Sequence, residues 1–264
     1  MRHVLRVLRH AAATGYQDYK TIYTWRTWLI GWYLRVVAQV VFFALIGELL
    51  GSRARTHELL VGAAVLLATV TSFIAVASTA WERWAGTLPL LVASPSSAVV
   101  VFAGRSVTFI GDGVVTSLGS FLAAAAIFDL PLPWPRILLV APLTLLVAVS
   151  SYMLAIFLGG LVLRAMSTRN VVSNLATGTI MAIGGVVVPV GYYPQPVQWL
   201  ANILPLTHGL EAIRGLLAGE AAAEILPNVG LEAAVGLGWL GLALLTFNHL
   251  AESGRRDGSI EFAS

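Results

Sequence analysis

Few side chains in this sequence are equipped for chemistry, and the most telling of them lie inside apolar runs. The five histidines, His3, His10, His57, His208 and His249, form no HExxH motif and no close ligand pair. There is no cysteine. Neither a thiolate nor a histidine metal centre is expected on that basis. No GxxxxGK[ST] loop occurs, so the chain is not a P-loop ATPase in its own right. No serine or threonine stands with a partner base, so nucleophilic catalysis has no sequence support. What remains is charge and amide placed where lipid is expected. Arg35 and Glu48 fall in the first apolar run, and Arg105 and Asp112 in the third. A charge at mid-depth costs about 2.5–3.5 kcal/mol on insertion scales, so such residues pair, snorkel or face water. Two readings follow for Asp112. In one it pairs with Arg35 or Arg105 and braces the cytoplasmic half of a helix bundle. In the other both arginines snorkel and Asp112 is hydrated at a helix break. Asn170, Asn174 and Thr177 recur at four and three and share one helical face. They suit either a polar translocation path or interhelical hydrogen bonds, worth about 1 kcal/mol each. Buried carboxylates are too sparse for an ion relay. A route through this chain would therefore suit an amphiphilic or apolar substrate.

The elements that must hold these residues are apolar helices. Of 264 residues, 58% are hydrophobic and only 11% charged, and mean hydropathy is +0.82. Soluble domains carry about 25% charge. Thin charge between apolar runs near 20 residues long defines an all-α polytopic membrane protein. Six transmembrane helices are predicted, at 27–50, 59–79, 98–128, 137–163, 171–188 and 231–250. The third run is long for one span, about 46 Å at 1.5 Å per residue. Gly111-Asp112-Gly113 inside it marks a plausible break. Before the first span, 1–20 carries Arg2, Arg6 and Arg9 on one face and Leu5, Leu8 and Ala12 on another. It reads as an N-terminal amphipathic interfacial helix. The segment 81–95, WERWAGTLPLLVASP, is too charged for hydrocarbon and too apolar for a free linker. It reads as a short surface helix with Trp81 and Trp84 at headgroup depth. The stretch 192–219 holds Pro194, Pro196, Pro205, Glu211 and Arg214. It reads as two short helices, 196–203 and 206–217, that enter the interface without crossing. Gly219 is a helix stop. In the last span Ala234, Gly238 and Gly241 form a small-residue face for close helix contact. The tail 251–264 reads as cytoplasmic, with 258–264 disordered.

Charge orients the bundle. With the N-terminus cytoplasmic, inside segments hold Arg2, Arg6, Arg9, Lys20, Arg26, Arg83, Arg164, Arg169, Arg255 and Arg256, with Arg105 near that side. The outside holds Arg53, Arg55, Arg136 and Arg214, together with Glu211, Glu220, Glu224 and Glu232. Six spans with both termini inside satisfy the positive-inside rule. Segment 81–95 is then cytosolic and hairpin 192–219 extracytoplasmic.

Two stretches carry a resemblance. One is ERWAGTLPLLVASPSS, 82–97, after the second span. The other is LPLTHGLEAIRGLLAG, 204–219, before the last. Together, in these topological slots, they resemble the permease subunit of ABC exporters of the ABC-2 class, nearest in look to the daunorubicin-resistance type. The six-span order is similar over nearly the whole chain. The resemblance implies a second permease subunit, identical or homologous, and two copies of a cytosolic ABC ATPase. ATP and Mg would bind those partners, and no cofactor this chain. Segment 81–95 would be the coupling helix in a cleft of the ATPase. Trp81, Glu82, Arg83, Trp84, Gly86 and Leu88 would make its contacts. Many members carry an acidic residue after the GTL of this segment. Here Pro89 stands there, and it ends or kinks the helix. The N-terminal helix with Arg6 and Arg9 would rest near the ATPase. The hairpin, with Pro205, His208, Glu211 and Arg214, would cap the exit. Spans one, two and five would form the dimer face and path, with Arg35 and Asn174.

The implied function is outward transport of a hydrophobic or amphiphilic natural product or drug across a bacterial cytoplasmic membrane. The chain itself would not be catalytic, and no nucleic acid is involved. An exporter of lipid-linked saccharide or lipid is the alternative within the class. A non-transporting scaffold or assembly protein is the alternative outside it, and leaves the charged segment between spans two and three without a purpose.

Overall fold

The computed structural model describes residues 2–77, 98–162 and 166–256. Among these, every regular element is helical. Helix α1 spans Arg2–Ile22. Among the described residues, five helices are long and apolar enough to cross a membrane. They are α2 (Trp25–Leu49), α3 (Arg53–Ala77), a broken pair that together covers Val99–Ile127, a helix of the run Arg136–Val162, and the helix that begins at Ala222. The broken pair is α4 (Ala98–Ser106) and α5 (Thr108–Ile127). Within Arg136–Val162 a 3₁₀ turn leads into α6 (Val140–Val162). Helix α7 is Arg169–Ile183, α8 Gln195–Asn202, α9 Thr207–Ala218 and α10 Ala222–Arg256.

Helix α3 is the axis of the bundle, because its sequence is apolar on every face. Leu60, Leu66, Leu67 and Phe73 are fully buried. Helices α2, α5 and α6 pack around it. Helix α10 lies along the outer side of α6 and keeps much of its own surface exposed. Close approach depends on glycine at two points. A Cβ at Gly113 would press on the Ala68 carbonyl of α3, and one at Gly236 would meet Ser150 of α6 at 3.0 Å.

Several features differ from the sequence expectations. The interruption of the third span falls after Ser106, not at Gly111–Gly113. Gly113 instead serves packing, and Gly111 faces open space. The region expected as the fifth span, 171–188, contains a 15-residue helix, α7, followed by bends over 184–188. Fifteen residues rise about 22 Å, and the bends at 184–188 carry the rest of the expected run. The small-residue contact inside the chain is made by Gly236, while Gly238 and Gly241 meet nothing within 4 Å. In α1 the face packed on protein is Ala11 and Gly15, with Leu5 turned outward at 68% exposed. Arg6 and Arg9 are also exposed.

The start of α2 is wound wide. Trp28–Tyr33 is π-helical, with the Leu34 N–H bonded to the Leu29 carbonyl. Such turns displace side chains from their α-helical directions and often occur at functional sites. Here the Trp28 and Tyr33 rings stack, 5.4 Å apart and 15° from parallel.

Candidate functional site

Three constellations of polar side chains sit at helix ends and breaks. The largest is the turn between α8 and α9. The last carbonyls of a short helix have no partners of their own. Those of α8 are taken one by one. Thr207 Oγ1 donates to Ala201 O at 2.8 Å, His208 Nε2 lies 3.0 Å from Asn202 O, and Trp239 Nε1 donates to Ile203 O at 2.8 Å. The first N–H groups of α9 need an acceptor in return, and no side chain of the turn supplies one. Glu232 supplies it from α10. Its carboxylate accepts from Leu206 N at 2.9 Å and Gly209 N at 3.0 Å, and from the Ser150 hydroxyl of α6. Glu232 is 0% exposed. A carboxylate on a helix N-terminus is favoured by the helix dipole as well as by the hydrogen bonds. The hairpin is thereby tied to α6 and α10 at once.

Arg214 ties the hairpin to α3. Its guanidinium donates to Glu58 O at 3.0 Å, Gly185 O at 2.8 Å and Val186 O at 3.1 Å. Burial pulls its pKa below the usual arginine value, while Glu58 and Glu211 push it back up. Gly62 is required beneath it, since a Cβ there would strike the Val186 carbonyl. Arg214→Lys keeps the charge but loses the fork that spans three carbonyls. It is expected to cost about 2–3 kcal/mol, comparable to one charge-assisted hydrogen bond. Thermal unfolding in detergent against wild type measures it.

The third constellation joins α1, α2 and α5. Asp112 accepts from Trp28 Nε1 at 2.8 Å, across 84 positions of sequence. Tyr19 of α1 lies beside it. Burial first, and then the Asp112 charge, raise the Tyr19 phenol well above its ordinary pKa, so it remains a neutral donor. The brace expected between Asp112 and an arginine takes a different form here. Arg105 pairs with Asp18 of α1 at 2.5 Å, and Arg35 lies over the Trp32 ring at 4.7 Å. An indole N–H satisfies a carboxylate without burying a cation. Asp112→Asn retains an oxygen for Trp28 and is expected to change stability by less than about 1 kcal/mol. Asp112→Ala strands the indole N–H and is expected to cost about 1–3 kcal/mol. Unfolding midpoints of the two variants compared with wild type decide this.

Other expected site residues fall as follows. Pro205 and His208 are buried, Arg214 is partly buried, and Glu211 is exposed. Asn174 is exposed and Thr177 half-buried on α7, and Arg35 is exposed on α2. The expected coupling residues Trp81, Glu82, Arg83, Trp84, Gly86 and Leu88 lie outside the described residues, as does the side chain of Arg2. Sequence reasoning does not reach Glu232 or Ser150 as site residues: Glu232 falls with the outer acids, and its only sequence signal is a carboxylate one residue inside an apolar run.

Described residues that are helical throughout their regular elements, with five helices of span length among them, make this a multi-span membrane protein. A family model described as ABC-2 type transporter matches residues 18–218. The chain belongs to that family. Members are non-catalytic transport components that work with ATPase subunits and a partner permease. No individual curated protein matches the chain.

Proposed function

We propose that the chain is the membrane subunit of an ATP-driven exporter that moves a hydrophobic or amphiphilic natural product or drug outward across a bacterial cytoplasmic membrane. Both termini are cytoplasmic. Two copies of a cytosolic ATPase engage segment 81–95, and a second permease subunit, identical or homologous, completes the path. One observation carries this reading within the family. Among the described residues, half-buried Asp112 and fully buried Glu232 are committed to Trp28 and to the N-terminus of α9. Neither is offered to a passing proton or ion, which favours energy delivered from a partner. The faces of α2 and α7 that bear Arg35, Leu45, Asn174 and Leu175 are exposed in the single chain and supply surface for a second subunit.

A lipid-like cargo is the second reading. It is favoured by an open groove of about 780 Å³ between the hairpin and α10, lined by Asn202, His208, Leu231, Ala234, Gly238 and Trp239. ATP-dependent transport in vesicles containing the chain and its ATPase tests both. A panel of drugs and lipid-linked glycans separates them. Movement of neither class, with the ATPase bound and active, would overturn both and leave a scaffold.

A further inference from the structure

Two helix interruptions flank segment 78–97, and one turn of α6 pins both. On the near side, α3 is interrupted at Phe73. Ser72 Oγ donates to Ala68 O at 2.7 Å and to Ala148 O of α6 at 3.1 Å. One turn earlier, Thr69 Oγ1 shares a hydrogen bond of 2.8 Å with Ser151 Oγ of α6. On the far side, α4 and α5 part at Val107. The Val107 N–H reaches the Gly104 carbonyl at 3.4 Å, and the Ile110 N–H reaches the Val107 carbonyl at 3.0 Å. Both are i−3 bonds, so one tightened turn interrupts the α-helical ladder. The Ala103 carbonyl, which Val107 would take in a continuous helix, accepts instead from the Tyr152 hydroxyl at 2.5 Å. Ser106 Oγ completes the joint, 2.7 Å from Tyr152 Oη and donating to Phe102 O at 2.8 Å. Thr69, Ser72, Ser106 and Ser151 are all 0% exposed. These hydroxyls are enclosed by the bundle, so their effect is confined to the joints.

Between segment 78–97 and the far joint, α4 packs with α1 as one body. A Cβ at Gly15 would overlap the Arg105 carbonyl, and one at Gly104 would lie 2.5 Å from Ala11 Cβ. The Arg105–Asp18 pair closes the same contact. Helix α5, past the joint, packs chiefly on α3.

We propose that the turn of α6 from Ala148 to Tyr152 is a fulcrum, and that Tyr152 is a positioning residue for transport. Motion imposed on 78–97 swings residues 74–77 and the α1–α4 body about the joints at Phe73 and Val107. Helices α3 and α5, past the two joints, are carried with it. This rests on the reading that 78–97 is where the ATPase engages. At the far joint the Ala103 carbonyl stays bonded while the helix bends, because Tyr152 of α6 supplies the hydroxyl that the interrupted ladder lacks; at the near joint Ser72 of α3 bridges instead to the Ala148 carbonyl of α6.

The chain has no cysteine, so spin labels at Val101→Cys and Leu122→Cys report the joint directly. Tyr152→Phe keeps the ring and deletes the hydroxyl. The Ala103 carbonyl must then recover the Val107 N–H, which straightens the helix. In nanodiscs without ATPase, the label separation is expected to lengthen in Tyr152→Phe. In the complex with the ATPase, cargo moved per ATP hydrolysed is expected to fall about tenfold, with hydrolysis itself within about twofold of wild type. Ser72→Ala, acting on the other joint, is expected to uncouple in the same way and serves if Tyr152→Phe does not fold. An unchanged coupling ratio in both variants overturns the proposal, and so does a parallel loss of transport and hydrolysis. A wild-type complex that hydrolyses ATP but moves no cargo overturns the functional reading and the transmission role with it. The label separation then still decides whether Tyr152 sets the bend.

Discussion

Glu232→Ala is expected to cost about 3–5 kcal/mol, the range for removing one partner from a buried charged network. The reason is the number of groups that share one carboxylate. The N–H groups of Leu206 and Gly209 and the hydroxyl of Ser150 all converge on it. Deleting it leaves two buried backbone donors without an acceptor, each worth about 1–3 kcal/mol. Leu206 adds to the effect. Its φ of +84° is left-handed, which a leucine adopts only when its surroundings impose it. The bond from its N–H to Glu232 is part of that imposition, as is its complete burial. Gly209 has no room for change either, since a Cβ there would strike Val147 and approach Glu232 Cγ at 3.2 Å. Glu232→Gln is the informative companion. Its amide offers one oxygen where the carboxylate offers two, so one of the two N–H groups faces a donor. A loss of about 1–3 kcal/mol is expected. Unfolding midpoints measure both variants, and labelling of Trp199→Cys reports whether the hairpin detaches before the bundle melts. Wild-type midpoints in both variants would show that α9 needs no acceptor from α10.

The same turn shows what was legible in the sequence. Pro194, Pro196 and Pro205 with Glu211 and Arg214 distinguish 192–219 from a plain span, and the apolar runs delimit the long helices. These signals are local: a proline lacks an N–H, and a run of leucines fits lipid. The ties are not local. Trp28 and Asp112 are 84 positions apart, Arg105 and Asp18 are 87, and Arg214 and Glu58 are 156. Periodicity shows which face a residue occupies but not which helix meets that face. The break at Val107 illustrates the cost of local reasoning. Local reasoning makes Gly111 and Gly113 the weak point, because glycine is permissive. A helix tolerates glycine while its ladder is intact, and here the ladder is interrupted where Ser106 and Tyr152 compete for its carbonyls. The asymmetry of Glu232 is similar. By composition it belongs to the outer acids. By position it is one of the few groups able to reach the bare N-terminus of α9.

Gly15→Val is expected to release α1 from the bundle while leaving the bundle folded. At Gly15 two backbones meet without a side chain between them. A Cβ there would overlap Arg105 O and crowd Arg105 C and Cα. Nothing at that contact is the flexible end of a side chain, so accommodation requires α1 to move as a whole. Overpacking of this kind costs about 1–3 kcal/mol in a core that cannot yield. Helix α1 is held mainly by α4. Its ion pair there, Arg105–Asp18, is partly exposed and worth at most about 1 kcal/mol, and the close Gly104–Ala11 approach cannot persist once α1 shifts as a body. Lifting α1 also withdraws Tyr19 from Asp112, whereas the Trp28 bond, made from α2, is independent of it. The bundle around α3 contains none of these contacts, so its unfolding midpoint should move little. Limited proteolysis is expected to cut within α1 in Gly15→Val under conditions that spare wild type, and transport is expected to fall with it. Gly31→Val is the control: a Cβ at Gly31 meets nothing within 4 Å, so α1 should stay protected. Protection of α1 in Gly15→Val equal to that in the control would mean that α1 is held by something other than its backbone contact with α4. The α1–α4 body would then lose its physical basis.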